Sequence, residues 1–353
     1  MKILVIQQKM IGDVLTSTIL FEALRKKFPS AELHYLVNLN TKPVLKNNPF
    51  IDKIILTDEP TKKNELRFFD LLKHIHNESY EVVIDVYAKI SSAMITKFSG
   101  AKMRIGYQKN YTSFLYTHTF QRLKKPEHDA SLALENRLKL LKPLGIDFDF
   151  ITPKIYLTPE EVSTARNSLD KSGLNLELPL VMVSILGSNP KKTYPGSFMA
   201  ELLDFCVEKK QGIQFLFNYI PNQKTEVKAI YKQLNPVTQN QVFFDIFGKS
   251  LREYMALTAR CTAVFGNEGG ANNIAKALEI PTFSIFSPNL TKVNWFGKSE
   301  EKKHTAVHLA DYMDFNKNDK KAAVENPELY YAKFKPELIK PELERFLSEV
   351  SKL

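Results

Sequence analysis

Twice along this 353-residue chain, short β-branched runs alternate with amphipathic stretches, and no other feature constrains the fold as much. A run such as Ile3-Leu4-Val5-Ile6 reads as a buried strand, and strands alternating with helices require a largely parallel α/β sheet. The first series predicts strands over 2–7, 32–37, 51–56, 82–86 and 103–106. It also predicts a helix over 13–28, with Val14, Leu15, Ile19, Leu20 and Leu24 apolar, and a helix over 135–144 ended by Gly145. Pro153, Pro159 and Pro179 then interrupt the pattern, which restarts with a helix over 159–172. Strands over 180–185, 214–218, 242–245, 263–265 and 282–286 follow, with helices over 225–234, 250–259 and 271–278. An irregular Lys-rich stretch at 316–335 precedes a charged helix near 336–351. The expected fold class is α/β, with two doubly wound, Rossmann-like domains facing a central cleft. Their expected spans are 1–157 and 158–335, and segment 336–353 is expected to pack back on the first domain.

Composition narrows the function classes. Two cysteines, Cys206 and Cys261, both in apolar runs, make neither a disulfide framework nor a multi-Cys zinc site. No apolar run approaches the roughly 20 residues of a membrane span. The N-terminus turns polar too soon for a signal peptide and reads as the first strand, so a cytoplasmic location is expected. Of the net +10, residues 1–150 carry +7, from 23 basic and 16 acidic side chains. Lys102, Arg104, Lys109, Arg122, Lys124 and Lys125 share a stretch free of Asp and Glu with Tyr107, Tyr111, Phe114 and Tyr116. That stretch is either a face for an anionic partner or a solvated surface. It lacks any recognised nucleic-acid-binding module.

In open α/β sheets, ligands bind at the carboxyl ends of strands, beside helix N-termini. Three loops qualify. Gln8–Asp13 ends with a carboxylate at a helix start, where Asp13 is a helix cap or a general base. In Leu186–Pro195, Gly187, Ser188 and Lys192 offer close backbone approach and a point charge to a phosphate, although a surface Lys191-Lys192 pair taken alone is more often a solvated face. In Gly266–Asn273, Gly269 and Gly270 permit a tight strand-to-helix turn whose N–H groups, with that of Ala271, face a ligand; the acidic Glu268 calls for more than a turn.

Other signals fall away. Gly248-Lys249-Ser250 and Gly297-Lys298-Ser299 lack the first glycine of a P-loop, which is Phe243 in one case and Lys292 in the other. No G-x-G-x-x-G follows a strand, which disfavours a nicotinamide cofactor. The seven histidines show no metal-ligand spacing, and no metal site is expected.

In order and spacing, the pieces resemble glycosyltransferase family 9, the heptosyltransferases of the lipopolysaccharide inner core. The resemblance rests on Ile3–Ile6 through Gly12-Asp13-Val14-Leu15, Phe28-Pro29-Ser30-Ala31-Glu32, Val83-Ile84-Asp85, Arg104-Ile105-Gly106-Tyr107 and Leu140–Gly145. It continues in Lys192-Thr193-Tyr194-Pro195, Gly248–Leu251, and Gly266–Gly270 running into Ala275–Leu278. It implies the GT-B architecture and an inverting, metal-independent transfer from a nucleoside diphosphate sugar, with no further cofactor. The implied acceptor is a lipopolysaccharide core or related glycan, an anionic glycolipid at the inner face of the cytoplasmic membrane. Asp13 resembles the general base, Lys192 the cation on the donor diphosphate, and Ser188 a phosphate-loop donor. Lys102, Arg104 and Lys109 would lie on the acceptor side. The third loop departs from the family's Asp-Thr-Gly and later His: Glu268, Gly269 and Asn273 stand there, and Tyr194 replaces a usual Trp. The departure leaves a second reading, a non-catalytic or divergent nucleotide- or glycan-binding member.

Overall fold

Strand β1 (Lys2–Ile6) is buried at four of its five positions, because a central parallel strand has helices on both faces and must be apolar throughout. Each such Ile, Leu or Val contributes about 1.5–3 kcal/mol by leaving water. The computed structural model describes residues 1–57 and 65–350 and divides into two compact units between Tyr156 and Leu157.

The first unit continues with α1 (Ile11–Thr16), α2 (Ile19–Lys27), β2 (Glu32–Asn38), β3 (Lys53–Thr57), α3 (Glu65–Asn77), β4 (Val82–Asp85), α4 (Ile90–Phe98), β5 (Met103–Tyr107), β6 (His118–Phe120) and α5 (Leu132–Lys139). Its parallel sheet has the order β3-β2-β1-β4-β5-β6. The order reverses between β1 and β4, where Ile6 pairs with Leu36 on one side and Asp85 on the other.

The second unit holds α6 (Pro159–Asp170), β7 (Leu180–Ser184), α7 (Gly196–Lys209), β8 (Gln214–Phe217), α8 (Lys224–Tyr231), α9 (Pro236–Gln239), α10 (Leu251–Thr258), β9 (Ala263–Asn267), α11 (Gly270–Ala277), β10 (Thr282–Ile285), β11 (His304–Val307), α12 (Lys317–Glu325), α13 (Pro327–Tyr331) and α14 (Pro336–Val350). The sheet order is β11-β10-β9-β7-β8, again parallel, with its reversal at β7 and β9. Helix α6 starts on a capping box: Thr158 Oγ1 accepts from the Glu161 amide at 3.1 Å and Glu161 accepts from the Thr158 amide at 2.9 Å.

The alternation is thus that of two doubly wound sheets, but several expectations need correction. The helix over 13–28 breaks at Ser17-Thr18, because their hydroxyls donate to the carbonyls of Asp13 (2.8 Å) and Leu15 (2.7 Å) and close the turn locally. The helix over 135–144 begins at Leu132, leaves the α form after Lys139 and ends in a 3₁₀ turn capped by Gly145 at φ 66°. The strand over 242–245 is a single bridge from Val242 to Phe215, since the chain turns back as Ile246 N–H bonds Phe243. Residues 316–335 are largely helical: Asn316 caps α12 through the amides of Asn318 and Asp319, Pro327 opens α13, and Tyr330 and Tyr331 are buried.

The terminal helix packs differently from the expectation that placed it on the first domain. Ile339, Leu343, Phe346, Leu347 and Val350 of α14 lie in the second unit's core, with Phe346 edge-on to Phe283 of β10 at 5.6 Å. The apolar stripe of α14 is what the second sheet needs to cover its face. Residues 351–353 lie outside the described residues. Among the described residues, no helix is long and apolar enough to cross a membrane.

Candidate functional site

Each order reversal brings two loops to the carboxyl edge of a sheet, the three singled-out loops among them, where neighbouring loops diverge and leave room for a ligand. In the first unit these are the segment after β1, ending in α1, and the segment after β4, whose Val86 and Tyr87 amides both donate to Ile6 O at 3.0 and 3.1 Å.

Asp13 stands in the first turn of α1 and is not its cap. The cap position is Met10, at φ 65°, with no side-chain bond. Asp13 Oδ1 instead accepts from Arg137 Nη2 at 2.7 Å, while Oδ2 has no hydrogen-bond partner among the described residues. The Asp13 side chain is 32% exposed and that of Arg137 only 6%. Arg137 comes from α5, too distant in sequence for any spacing rule to flag, and it was not expected.

Asp85 closes β4 and is fully buried. Its Oδ1 accepts from the Ala88 amide (2.8 Å) and its Oδ2 from the Tyr116 hydroxyl (2.7 Å). Gly106 makes space for that ring, since a Cβ there would stand 2.6 Å from it. Burial pushes the Asp85 carboxyl up to about 6 from an ordinary 3.8, against the opposing pull of its donors and Lys109. The folded state therefore holds this proton more tightly than the unfolded chain. That contribution to stability is complete below about pH 3.8 and is lost as pH rises through about 6, an effect of about 3 kcal/mol. Asp85→Asn has no such proton. Urea unfolding should show the variant gaining on the parent between pH 4 and pH 7, and a constant difference would refute the assignment.

The expected acceptor-side cations separate. Lys102 is exposed and precedes β5, so it lies at the amino edge, opposite Asp13. Arg104 is engaged in holding its own loop, donating to Leu115 O (3.1 Å) and Ala101 O (2.7 Å). Lys109 does reach the carboxyl edge, where its ammonium donates to Ala88 O and ties the segment after β5 to that after β4.

In the second unit the reversal joins the loop after β7 to the loop after β9. Asn267 fastens them: its Oδ1 accepts from the Tyr194 amide at 2.7 Å, and its Nδ2 donates to Ser184 O and Ile185 O at 3.0 Å each. Gly266, at φ 123°, lets β9 approach β7, since a Cβ would meet Ser184 O at 2.5 Å. Tyr194 is fully buried and donates to Phe334 O at 2.7 Å. Tyr194 therefore anchors the loop from within the core.

Gly187 differs from expectation. Its amide donates to Thr193 Oγ1 at 3.0 Å, so it is not bare, and a Cβ would lie 2.2 Å from Lys192 O. Its smallness lets the loop fold onto itself and set the position of Lys192. Ser188 is exposed at the tip, and Lys192 is half-buried with no hydrogen-bond partner for its ammonium among the described residues.

Helix α11 begins at Gly270 with Gly269 as an uncapped start. Gly269, at φ 166°, is simply extended, and a Cβ on either glycine would meet open space. The expected tight turn therefore does not explain this glycine pair; what the pair leaves is room for a ligand. The amides of Gly270 and Ala271 have no partner among the described residues and sit at the positive end of the helix dipole. Glu268 precedes them, half-buried, with its carboxyl pushed up by burial against the attraction of Lys192 and Lys276. Lys192 and Glu268, remote in sequence, thus belong to one electrostatic neighbourhood. Asn273 is half-buried in the first turn of α11. The buried Asn272 is an addition: it donates to Ser284 Oγ at 2.6 Å and leaves its own Oδ1 unsatisfied.

A family model described as glycosyltransferase family 9 (heptosyltransferase) matches residues 68–324, a span that begins after Asp13. Lipopolysaccharide heptosyltransferase 1 of Campylobacter coli is 22% identical over 307 residues, 84% of this chain and 86% of that protein. Among solved structures, a glycosyl transferase family 9 protein from Veillonella parvula aligns with TM-score 0.83 at 20% identity, covering 99% of this chain and 97% of the other. The E. coli ADP-heptose lps heptosyltransferase II aligns with TM-score 0.72 at 19% identity, covering 99% of each chain. These alignments run over almost the whole of each chain and show a shared fold, and the family match takes in the loops that carry Lys192 and Glu268. The chain belongs to glycosyltransferase family 9, the heptosyltransferases.

Proposed function

We propose that this chain transfers a heptose-type sugar, with inversion and without a metal ion, from a nucleoside diphosphate to a lipopolysaccharide-core acceptor. The observation that carries the donor half is the second unit's carboxyl edge, where, among the described residues, the Lys192 ammonium and the amides at the start of α11 have no hydrogen-bond partner and Lys192 acts on the adjoining Glu268. An anionic diphosphate is what such a site suits. An E. coli heptosyltransferase of the same fold was solved with ADP, which makes ADP the first donor nucleotide to test.

Departure of the diphosphate builds negative charge on its oxygens and positive charge on the anomeric carbon. Lys192 and the amides of Gly270 and Ala271 meet the first. Fixed donors and a helix dipole need no reorganisation as that charge develops. Glu268, with its burial favouring the protonated acid, takes hydrogen bonds with sugar hydroxyls; Asn273 keeps a polar contact without a titrating charge. Gly187 and Ser188 shape and tip the loop that carries Lys192. On the acceptor side, Asp13 Oδ2 removes the proton of the attacking hydroxyl, which inversion requires to approach from the face opposite the diphosphate. Lys109, at the same edge of the first unit, faces the acceptor's anionic groups. A glycolipid acceptor would bring the reaction to the inner face of the cytoplasmic membrane.

The test is release of ADP from ADP-heptose with and without heptose-deficient lipopolysaccharide, run in chelator. Acceptor-dependent release that survives chelation is expected. Release that needs added divalent metal would overturn the metal-free reading. A nucleotide-sugar panel giving no thermal stabilisation and no turnover would overturn the donor class.

A further inference from the structure

The guanidinium behind Asp13 is held more firmly than a simple ion pair needs. Arg137 Nε donates to Ser17 Oγ at 2.9 Å, Nη1 to Ala133 O at 2.8 Å, and Nη2 to Asp13 Oδ1 at 2.7 Å and Asp13 O at 3.3 Å. Ser17 Oγ in turn donates to Asp13 O at 2.8 Å, so the hydroxyl that ends α1 also receives the arginine. Helix α5 is itself pinned: Tyr107 OH donates to Asn136 O at 3.0 Å, and Asn136 Nδ2 to Leu132 O at 2.8 Å. Tyr35 OH donates to Val14 O at 2.8 Å and braces α1 from below.

These bonds give the Asp13 carboxylate a single orientation. One oxygen is bound by the buried guanidinium, and the other oxygen of this partly exposed side chain has no hydrogen-bond partner among the described residues. We infer that Arg137 is a positioning residue for the transfer reaction, a buried fork that fixes Asp13 so that Oδ2 alone meets the acceptor hydroxyl. This rests on the proposed role of Asp13. A lysine cannot do the same: its ammonium lacks the planar fork that reaches Ser17, Ala133 and Asp13 together.

Rates depend steeply on such placement, and a displacement near 1 Å can lower them about 100-fold. The experiment measures kcat and both KM values for the full chain and for Arg137→Met, Arg137→Lys, Asp13→Asn and the Asp13→Asn/Arg137→Met double variant. Nucleoside diphosphate binding, followed by calorimetry, serves as the check of folding. Arg137→Met should lose about 100-fold in kcat with KM values and diphosphate affinity within about twofold. Arg137→Lys should fall between the two. In the Asp13→Asn background the same change should cost nothing further, because a residue acting through Asp13 has nothing left to position.

An equal further loss in the double variant overturns the inference, as does a parental kcat in Arg137→Met. If both Asp13→Asn proteins fall below detection, the single variants decide. Loss confined to kcat supports positioning, and loss shared with KM or with diphosphate binding overturns it. Full activity in Asp13→Asn would defeat the role of Asp13 itself. Inactive Asp13→Asn with parental Arg137→Met defeats only the inference about the arginine.

Discussion

Asp13→Asn is expected to lower kcat by about 10²–10⁴-fold, the usual contribution of a positioned general base. The substitution preserves size and shape. An amide oxygen can still accept from Arg137 Nη2, now 2.7 Å from Oδ1, so the link between α1 and α5 survives. The group at Oδ2 becomes an NH₂, which cannot accept the proton of the attacking hydroxyl. Diphosphate binding, which the proposed function assigns to the second unit, should stay within about twofold of the parent by calorimetry. The expected signature is therefore a loss in kcat, with unfolding midpoint and donor affinity unchanged. A variant that transfers sugar at the parental rate would remove Asp13 from the mechanism, however well placed its carboxylate.

Lys192→Ala should act on binding. A hydrogen bond to a charged group is worth about 1.5–3 kcal/mol, which corresponds to a Kd for ADP weakened by about 10–150-fold. The loss has a second component. Lys192 is the first of the two cations that hold the Glu268 carboxyl down against burial, so its removal leaves Glu268 still more inclined to bind a proton. A folded-state value raised further means that protonation of Glu268 persists to higher pH in the variant. ADP affinity should then fall more steeply with rising pH in Lys192→Ala than in the parent, as the carboxylate forms beside the diphosphate with only Lys276 left to offset it. Lys192→Arg should recover part of the affinity. Affinity unchanged in Lys192→Ala would exclude contact with the diphosphate, whatever the state of Glu268.

Much of the fold was legible because the signals are local. A strand covered on both faces must be continuously apolar, and the runs at 2–7, 180–185 and 263–265 leave little choice. Capping chemistry was equally local at Thr158-Pro159-Glu160-Glu161, where hydroxyl, ring and carboxylate specify a helix start. Strands β6 and β11 passed unnoticed. One has three residues and the other is half-buried at three of its four positions, as an edge strand can be. The segment 242–245 erred the other way: its β-branched and aromatic residues suit a strand, yet it forms only the single bridge at Val242, closed by the bonds of Gln241 and Phe243 to Phe215. The irregular reading of 316–335 undervalued Asn316 and Pro327, both good helix openers.

For the site, residue types and neighbours in sequence identified the three loops and picked out Asp13, Lys192 and Glu268, because carboxyl edges of parallel strands open onto helix N-termini. The sequence alone also determined the α/β class, the break near residues 150–160, and the absence of a long apolar span. Only the tertiary structure decided what each side chain does there. It set Arg137 behind Asp13 across 124 positions, gave Asp85 to Tyr116, turned Gly187 inward, moved Lys102 to the far edge and built α14 into the second core. Periodicity and capping are properties of neighbouring residues and can be read along the chain. The orientation of a carboxylate, or whether a cation is left free, depends on which distant donor reaches it first, and that is settled only when the sheets have closed their order.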